Sequence, residues 1–309
     1  MSNRLRVAVI GVGHLGQHHA RLLGSIEGVE LVGVVDAKPG RADEIAAKCN
    51  TKAWPVAADL IGRVDAVTIA VPTISHLEVA LPFLERGVAV LVEKPLASTV
   101  ADAERLIDAA ARAGTTLAAG HTERFNPAVV AALPLVADPR FVEVHRLGTF
   151  PERSLDIDVI FDLMIHDLDL LLASVRSEVV AIEAVGVNVL TPRTDIANAR
   201  LRFASGCIAN VTASRISRER VRKVRFFQHD SYVSIDYAAQ EVELYRLAPR
   251  GTVPPIQGGK LDIVNEEPLR CELVDFVDAV RNSREPGVTG RAGRDALELA
   301  TRIAEKMAQ

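Results

Sequence analysis

A glycine motif near the start of the chain constrains its fold more than any other feature. The motif occupies residues 11–16, with the sequence GVGHLG, directly after the apolar run Leu5–Ile10 and at the start of a helical pattern. In such a loop the first glycine permits a tight turn, the second lets a pyrophosphate approach the backbone, and the third permits close packing of the helix on the strand. The free N–H groups at the N-terminus of that helix then face the phosphates. His18 and His19 follow on this helix and are assigned packing or surface roles. We therefore expect the chain to begin with a βαβ unit that binds a dinucleotide.

An acidic residue after the second apolar run supports this interpretation. Asp36 follows residues 31–35 and lies about twenty residues after the glycine motif, where such proteins bind the adenosine ribose. Its carboxylate would accept hydrogen bonds from the ribose and repel a 2′-phosphate, which favours NAD over NADP. Lys38 and Arg41 weaken this preference because they carry the opposite charge. A glycine turn next to an unrelated surface aspartate is the alternative, and the complete strand–loop–helix context makes it the weaker one.

Short apolar runs alternate with helical patterns over the first 120 residues. Such runs are typical of strands buried on both faces of a parallel sheet. The runs are 5–10, 31–35, 66–71, 88–92 and 116–119, and the helical patterns are 15–24, 40–48, 75–86 and 99–113. Thr99 with Asp102, and Gly114, are expected to cap the last of these helices. The pattern predicts an α/β, doubly wound Rossmann domain over residues 1–120.

Beyond residue 120 the period of the apolar residues changes. One apolar segment of helical length, residues 160–175, precedes several segments in which apolar and polar residues alternate. The alternating segments lie near residues 198–203, 233–237 and 241–244, a Gly- and Pro-rich stretch over 249–259 is interpreted as a surface loop, and helical patterns cover 268–283 and 291–307. Alternation predicts a large, mainly antiparallel sheet covered on one face. We expect residues 121–309 to form an α+β domain, whose last helix is able to pack back on the first domain.

Composition limits the partners of the chain. Its 309 residues include 36 Lys and Arg against 40 Asp and Glu, and the net charge of −4 gives no global attraction to nucleic acid or to an anionic membrane. No apolar stretch approaches the length of a membrane span, and no signal peptide is recognised. The cysteines Cys49, Cys207 and Cys271 lie far apart and predict neither a zinc site nor a disulfide framework. We expect a cytoplasmic protein without nucleic-acid or membrane partners.

Three ionisable residues share one face of the apolar helix. Asp162, His166 and Asp169 stand at positions i, i+4 and i+7. An aspartate one turn before a histidine can orient the imidazole and stabilise its charged form, so His166 is a candidate general base. An ion pair on an exposed face is the alternative, but a segment this apolar is expected to be buried, where charges need a function. A metal is not expected, because no further His or Cys completes a site.

Lys94 follows the fourth apolar run, at the edge where doubly wound sheets bind ligands. Its ammonium group would hydrogen-bond a reacting hydroxyl and stabilise the developing alkoxide, whereas a surface lysine is the alternative. Pro95 restricts Lys94 to extended conformations and leaves a cis peptide bond open. When a nicotinamide cofactor takes a hydride from an alcohol, the protein supplies the base and the geometry. Lys94, Asp162 and His166 are therefore the expected catalytic residues.

Four motifs occur together in this chain: the glycine loop, residues 70–76 (AVPTISH), residues 93–95 (EKP) and residues 162–169 (DLMIHDLD). In combination they resemble the glucose–fructose oxidoreductase/inositol dehydrogenase/MocA (Gfo/Idh/MocA) family of oxidoreductases. The resemblance implies the same catalytic roles, an NAD cofactor, a second domain for substrate binding and oligomerisation, and a homo-oligomer (dimer or tetramer) built through its sheet. His76, structural by residue-based reasoning, falls among the cofactor residues by resemblance. The expected cofactor-binding residues are Gly11, Gly13, His14, Leu15, Gly16, Asp36, Pro72, Thr73, His76, Glu93 and Lys94.

Three further stretches, residues 120–127, 161–172 and 213–217, are similar to members that oxidise nucleotide sugars, which implies UDP-N-acetylglucosamine oxidised at C3. Arginine suits the planar contacts of a diphosphate, so Arg124 and Arg215 are candidate ligands, with structural salt bridges equally open. The expected substrate residues are Arg124, Asn126, Asp169 and Arg215. An inositol or free-sugar dehydrogenase of the same family, or a non-catalytic dinucleotide-sensing regulator, is the alternative.

Overall fold

The computed structural model of the chain describes residues 4–150, 157–250 and 252–308. These residues divide into two compact units. The first unit runs to Thr122 and includes Leu269–Leu297, and the second comprises Glu123–Pro268 and the segment from Glu298 onward. The division falls close to residue 120, but Leu269–Leu297 belongs to the first unit.

The first unit is built on a five-stranded parallel sheet of order β2-β1-β3-β4-β5. Its strands are β1 (Leu5–Ile10), β2 (Val29–Val35), β3 (Ala66–Ile69), β4 (Ala89–Glu93) and β5 (Leu117–Gly120), and the helices between them are α1 (Gly16–Leu23), α2 (Arg41–Lys48), α3 (His76–Leu84) and α4 (Val100–Ala113). All residues of β3, β4 and β5 are buried, which explains their uninterrupted apolar sequences. The predicted doubly wound Rossmann domain is confirmed, with every element boundary within two residues of the prediction.

The caps predicted for α4 are also present. The hydroxyl oxygen of Thr99 accepts the N–H of Asp102 at 3.1 Å, which satisfies one of the free donors of the first turn. Gly114 ends the helix in the left-handed conformation, with φ of +62°. Local signals therefore suffice to fix this helix.

The second unit carries an eight-stranded sheet of order β13-β12-β11-β10-β6-β9-β8-β7. The strands are β6 (Phe141–Leu147), β7 (Val179–Val187), β8 (Ile196–Phe203), β9 (Ile208–Ser214), β10 (Val221–Phe227), β11 (Ser231–Asp236), β12 (Glu241–Leu247) and β13 (Ile256–Lys260), and α5 (Pro127–Ala132) and α6 (Ile165–Val175) accompany them. All neighbouring strands are antiparallel except β6 and β9, which are parallel. Buried residues alternate with more exposed ones along β6, β8 and β9, so the prediction of a mainly antiparallel sheet covered on one face is confirmed.

The prediction of a surface loop over residues 249–259 is wrong at its end, because Ile256–Lys260 forms β13 at the edge of the sheet. Glycine is unfavourable in strands, so the sequence pattern did not indicate a strand here. Gly258 nevertheless fits here, since a Cβ at this position would lie 1.8 Å from the carbonyl oxygen of Leu244 on β12. The absent side chain thus permits the close approach of the two strands.

The apolar segment 160–175 is helical, but an uninterrupted α-helix is the wrong description of its start. Ile160–Met164 forms a π-helical turn, and α6 begins at Ile165. A continuous apolar run carries no period that could separate a π turn from an α turn. Asp162 therefore lies in the π turn, and its i, i+4 relation to His166 is not the α-helical one that the sequence predicts. Such turns are frequent at functional sites.

Two helices, α7 (Pro268–Asn282) and α8 (Gly290–Met307), close the chain at the predicted positions. Leu273 and Phe276 of α7 pack into the apolar core of the first unit together with β1 and α1. Within the described parts of the chain, no helix combines the length and hydropathy that a bilayer span requires.

Candidate active site

The glycine loop has the geometry of a phosphate loop. Gly11 has φ of +83°, and a Cβ here would lie 2.7 Å from the backbone of Ala70. A Cβ at Gly16 would lie 1.7 Å from the carbonyl oxygen of Gly11. At Gly13, by contrast, no described atom beyond its chain neighbours lies within 4 Å of a Cβ position. The backbone is therefore tight at both ends of the loop and open in the middle, where His14 and Leu15 are also exposed.

Asp36 holds this loop from the end of β2. One carboxylate oxygen accepts the N–H of Val12 at 2.8 Å, and the other accepts the N–H of Lys38 at 2.8 Å. An ionised carboxylate has roughly four acceptor sites, so both oxygens retain capacity for a further donor. Asp36 is only half-buried and thus remains able to accept the hydroxyls of a ribose.

Arg41 binds groups of the glycine loop and of α2, which limits its ability to attract the 2′-phosphate of NADP. Its Nε donates to the carbonyl oxygen of Val12 at 2.8 Å, and its guanidinium donates to Gln17 at 3.0 Å and pairs with Glu44 at 2.8 Å. Hydrogen bonds from Lys48 and Arg41 lower the pKa of Glu44 to about 2, so this partner is charged at neutral pH. Arg41 is therefore expected to weaken the preference for NAD over NADP less than its charge alone suggests.

His76 joins two of the sequence motifs. Its Nδ1 lies 2.9 Å from the carbonyl oxygen of Pro95, and its Nε2 lies 3.0 Å from that of Val71. Burial lowers the pKa of His76, so a neutral ring donates one of these two bonds. The contacts match the structural role that the residue-based reasoning predicts. The cofactor contacts that the resemblance implies for Pro72, Thr73 and His76 stay a prediction.

The end of β4 carries a buried carboxylate next to the candidate lysine. Glu93 is 6% exposed; its Oε1 lies 3.0 Å from Nε2 of His19, and its Oε2 accepts the N–H of Lys94 at 3.2 Å. Burial alone would raise the pKa of Glu93, but the hydrogen bond of His19 and the charges of His19 and Lys94 hold it below its usual value. The Lys94–Pro95 peptide bond is cis. His19, assigned a packing or surface role from the sequence, is buried and pairs with Glu93; the signal that was available is its place on the buried face of α1, where a polar ring needs a partner.

In the second unit, the helical segment carries the other candidate residues. Asp162 and His166 are half-buried, and Nδ1 of His166 is buried. Asp169 is 2% exposed, and its carboxylate accepts a hydrogen bond from Arg124 at 3.3 Å. The side chain of Arg124 remains 19% exposed. The structure thus brings Arg124 and Asp169 together, as two of the four expected substrate residues.

An ion cluster that the sequence did not reveal anchors α6 to the sheet. Arg146, on the covered face of β6, donates to both carboxylate oxygens of Asp167 at 2.6 and 3.0 Å and to Glu123 at 3.0 Å. Its guanidinium also lies 5.1 Å above the ring of Tyr237. The charges of Asp167 and Glu123 raise the pKa of Arg146 although burial opposes its charge. This cluster holds Asp167, the residue that follows His166.

The other two expected substrate residues have structural partners. Arg215 is 2% exposed and donates to Asp195 at 2.9 Å and to the carbonyl oxygen of Ile157 at 2.7 Å, which is the salt-bridge alternative that the sequence left open. Asn126 is 2% exposed; it caps α5 and donates to the carbonyl oxygen of Tyr237 at 3.0 Å. Both side chains therefore hold backbone segments of the second unit in place.

Known proteins resemble this chain over nearly its whole length. The family model for the oxidoreductase family with an NAD-binding Rossmann fold (GFO_IDH_MocA) matches residues 5–121, and the GFO/IDH/MocA C-terminal domain matches residues 138–229. UDP-N-acetylglucosamine 3-dehydrogenase from Acidithiobacillus ferrooxidans is 40% identical over 303 residues, which cover 97% of this chain and 96% of that protein. The chain belongs to the Gfo/Idh/MocA oxidoreductase family.

Two other comparisons support the membership. The scyllo-inositol 2-dehydrogenase (NAD(+)) of Bacillus subtilis is 26% identical over 315 residues, covering 94% of this chain and 90% of that protein. A solved structure of the Acidithiobacillus ferrooxidans UDP-N-acetylglucosamine 3-dehydrogenase superposes with a TM-score of 0.93 at 38% identity and covers 99% of both chains. The predicted family is confirmed.

This Gfo/Idh/MocA protein is an NAD-dependent oxidoreductase that acts on CH–OH groups. Its own residues fit the dinucleotide: the backbone is open at Gly13, and Asp36 has free acceptor capacity at the end of β2. When bound, NAD supplies the acceptor for a hydride. The chain must then bind and orient the alcohol and remove its hydroxyl proton.

Proposed function

We propose that this enzyme oxidises a secondary ring hydroxyl of a nucleotide sugar, with the C3 hydroxyl of UDP-N-acetylglucosamine as the leading candidate. The observation that carries the proposal is the 40% identity, over 97% of the chain, with a UDP-N-acetylglucosamine 3-dehydrogenase. Similarity to the scyllo-inositol enzyme is lower, at 26%. An inositol or free-sugar substrate is therefore the second candidate, with less support.

His166 is proposed as the base that removes the hydroxyl proton, with Asp162 orienting its ring. The half-buried position of both side chains supports this role, since partial burial limits competition by water while leaving access to a ligand. Lys94 is proposed to hydrogen-bond the reacting oxygen and to stabilise its developing negative charge. Its place at the carboxyl end of β4, beside the binding edge of a doubly wound sheet, supports that assignment.

Arg124 is the residue we propose as the ligand of the substrate diphosphate. Its side chain is 19% exposed and therefore accessible to a ligand, whereas Arg215 is 2% exposed. A planar guanidinium matches two phosphate oxygens at once. Arg215, Asn126 and Asp169 are proposed to act on substrate binding indirectly, by holding the groups around it.

The test of the substrate is the appearance of NADH absorbance with UDP-N-acetylglucosamine, myo-inositol and glucose offered separately. We expect turnover with the nucleotide sugar and a KM for it far below that of the free sugars. Turnover with myo-inositol alone would replace the nucleotide-sugar assignment by the second candidate. Tight NAD binding without turnover of any sugar would instead point to a regulator that senses dinucleotides.

A homo-oligomer built through the second sheet is part of the proposal. Four aromatic side chains cross the open face of β6, β10, β11 and β12, with neighbouring ring centroids 5.2 to 6.4 Å apart: Phe141, Phe227, Tyr232 and Tyr245. Phe227 is 36% and Tyr245 41% exposed, and exposed aromatic rows of this kind are typical of interfaces. Light scattering on wild type and on F227E/Y245E measures this: the mass should drop to that of one chain, and an unchanged mass excludes this face.

A cytoplasmic location belongs to the same proposal. The three cysteines, Cys49, Cys207 and Cys271, are not joined in disulfides, as is usual for a reducing compartment.

A further inference from the structure

A buried hydrogen-bond chain connects α1 to the lysine proposed for catalysis. From it we infer that His19 is a positioning residue for Lys94 and acts through the carboxylate of Glu93. This inference rests on the proposed role of Lys94. It goes beyond that role because it assigns a task in the reaction to a residue of the coenzyme-binding helix.

The geometry of the chain is continuous. His19 is 0% exposed, and its Nε2 lies 3.0 Å from Oε1 of Glu93, while Oε2 of the same carboxylate accepts the backbone N–H of Lys94 at 3.2 Å. An ionised carboxylate only accepts, so Nε2 of His19 carries the proton of the first bond. Each of the two carboxylate oxygens is thereby tied to one partner, and the carboxylate cannot turn without breaking a bond.

The neighbouring strand has a glycine where a side chain would crowd this carboxylate. Gly120 of β5 lies opposite Glu93 in the parallel register, and a Cβ at Gly120 would lie 3.0 Å from Cα and 3.1 Å from Oε2 of Glu93. Contacts this short require the neighbour to move. The end of the sheet is thus shaped around one orientation of the Glu93 side chain.

Glu93 stays charged in its buried position only because hydrogen-bond donors and positive charges lie beside it. A buried carboxylate without hydrogen bonds takes up a proton instead of remaining charged. The charged and titratable groups that face Glu93 are His19 from α1, Lys94 as the next residue in the chain and His76 from α3. Of these, His19 makes the direct side-chain hydrogen bond that, with its charge and that of Lys94, keeps the pKa of Glu93 low against the effect of burial.

A second observation argues against simple filling of space. Nδ1 of His19 is buried and has no hydrogen-bond partner among the described residues. An apolar side chain of similar volume would avoid the cost of that buried nitrogen, which is about 1–3 kcal/mol for an unsatisfied polar group. What His19 contributes and an apolar side chain would not is therefore the bond made by Nε2.

The decisive experiment compares kcat, KM and the pH profile of H19L and H19Q with wild type, using UDP-N-acetylglucosamine or whichever sugar the enzyme turns over. H19L loses the donor, and we expect kcat to fall by about 10²-fold, as for a small misplacement of a catalytic group. H19Q keeps an N–H donor and should recover most of kcat. T68V, which removes a buried hydroxyl without a partner among the described residues of the same sheet, is the matched control and should behave as wild type.

The pH profile separates positioning from a merely structural role. Without His19, the pKa of Glu93 rises, so the carboxylate forms only at higher pH. The acidic limb of kcat, to which the proposed base His166 also contributes, then gains the ionisation of Glu93 and moves toward neutral pH. A structural role alone lowers the thermal midpoint but leaves that limb in place, and this result would overturn the inference. If H19L does not fold, E93Q decides: it keeps the shape and removes the charge, so kcat should fall and the limb that Glu93 causes should vanish, and unchanged values would count against us.

The variant K94A distinguishes the two possible failures. If K94A retains the wild-type kcat, the proposed function of Lys94 is wrong and the inference falls with it. If K94A loses kcat while H19L keeps both kcat and its pH profile, only the inference about His19 is wrong.

Discussion

The two sheets of the molecule bury their charges in different ways. In the parallel sheet of the first unit, the buried charge on a strand is Glu93, at the carboxyl end of β4. In the sheet of the second unit, Arg146 lies within β6 on the covered face, and Arg215 follows directly after β9. A sheet covered on both faces leaves polar groups only its strand ends, which is where such folds bind ligands. The buried charge on a strand of the first unit therefore lies at the ligand edge of its sheet, whereas Arg146 and Arg215 of the second unit hold elements together.

The largest expected effects test whether each unit supplies a catalytic group. H166A and K94A should each lower kcat by about 10²- to 10⁴-fold, the usual contribution of a positioned proton-transfer or charge-stabilising group. Binding of NADH, measured by fluorescence, should persist in both variants. A normal kcat in either variant would remove that residue from the proposed machinery.

The second effect tests whether the ion cluster under α6 is structural. R146M leaves Asp167 buried beside Glu123 without its guanidinium partner, and removing one member of a buried pair typically costs about 3–5 kcal/mol. Urea denaturation of R146M and of R146M/D167L measures this. The double variant should regain most of the lost stability, since no charge of the pair is left. A stable R146M with an altered KM for the sugar would mean that the second unit also uses its buried charge for binding.

The third effect concerns the polar end of β2. D36S removes the negative charge that repels a 2′-phosphate and one acceptor for the ribose, and hydrogen bonds to charged groups contribute about 1.5–3 kcal/mol. The ratio of kcat/KM for NAD to that for NADP should therefore fall by roughly 10- to 100-fold. The conservative variant D36E, which keeps the charge, is the control. An unchanged ratio in D36S would show that Asp36 only braces the loop through Val12 and Lys38.

The smallest effect tests a polar group of the first unit that lies away from the ligand edge of the sheet. T99A removes the N-cap of α4 and should lower the free energy of unfolding by about 1 kcal/mol, without a change in kcat or KM. T99S, which keeps the hydroxyl, should remain at the wild-type stability. A catalytic effect of T99A would mean that polar groups elsewhere in this unit also affect the reaction.

Sequence predicts what is local or periodic in this molecule. The glycine loop, the caps of α4 and the alternation along β8 are each written in a few neighbouring residues, and all are present in the structure. The hydrogen bond between His19 and Glu93 joins positions 74 residues apart, and no local pattern marks such a pair. The same holds for Arg146 and Asp167, whose contact depends on how α6 lies on the sheet. Arginine and histidine in an apolar context show that partners are required without showing which.

The π turn at Ile160–Met164 affects how this enzyme can change in evolution. A π turn closes its hydrogen-bonded ring over one residue more than an α turn does, so a single-residue deletion there would restore a regular helix. Such a deletion would rotate Asp162 relative to His166 while leaving His166 and everything after it in place. Related sequences with one residue fewer in this stretch would then keep His166, the proposed base, and change the position of Asp162 relative to it. Length variation at this turn is thus a route by which a lineage could change the position of Asp162 relative to His166 without rebuilding the fold.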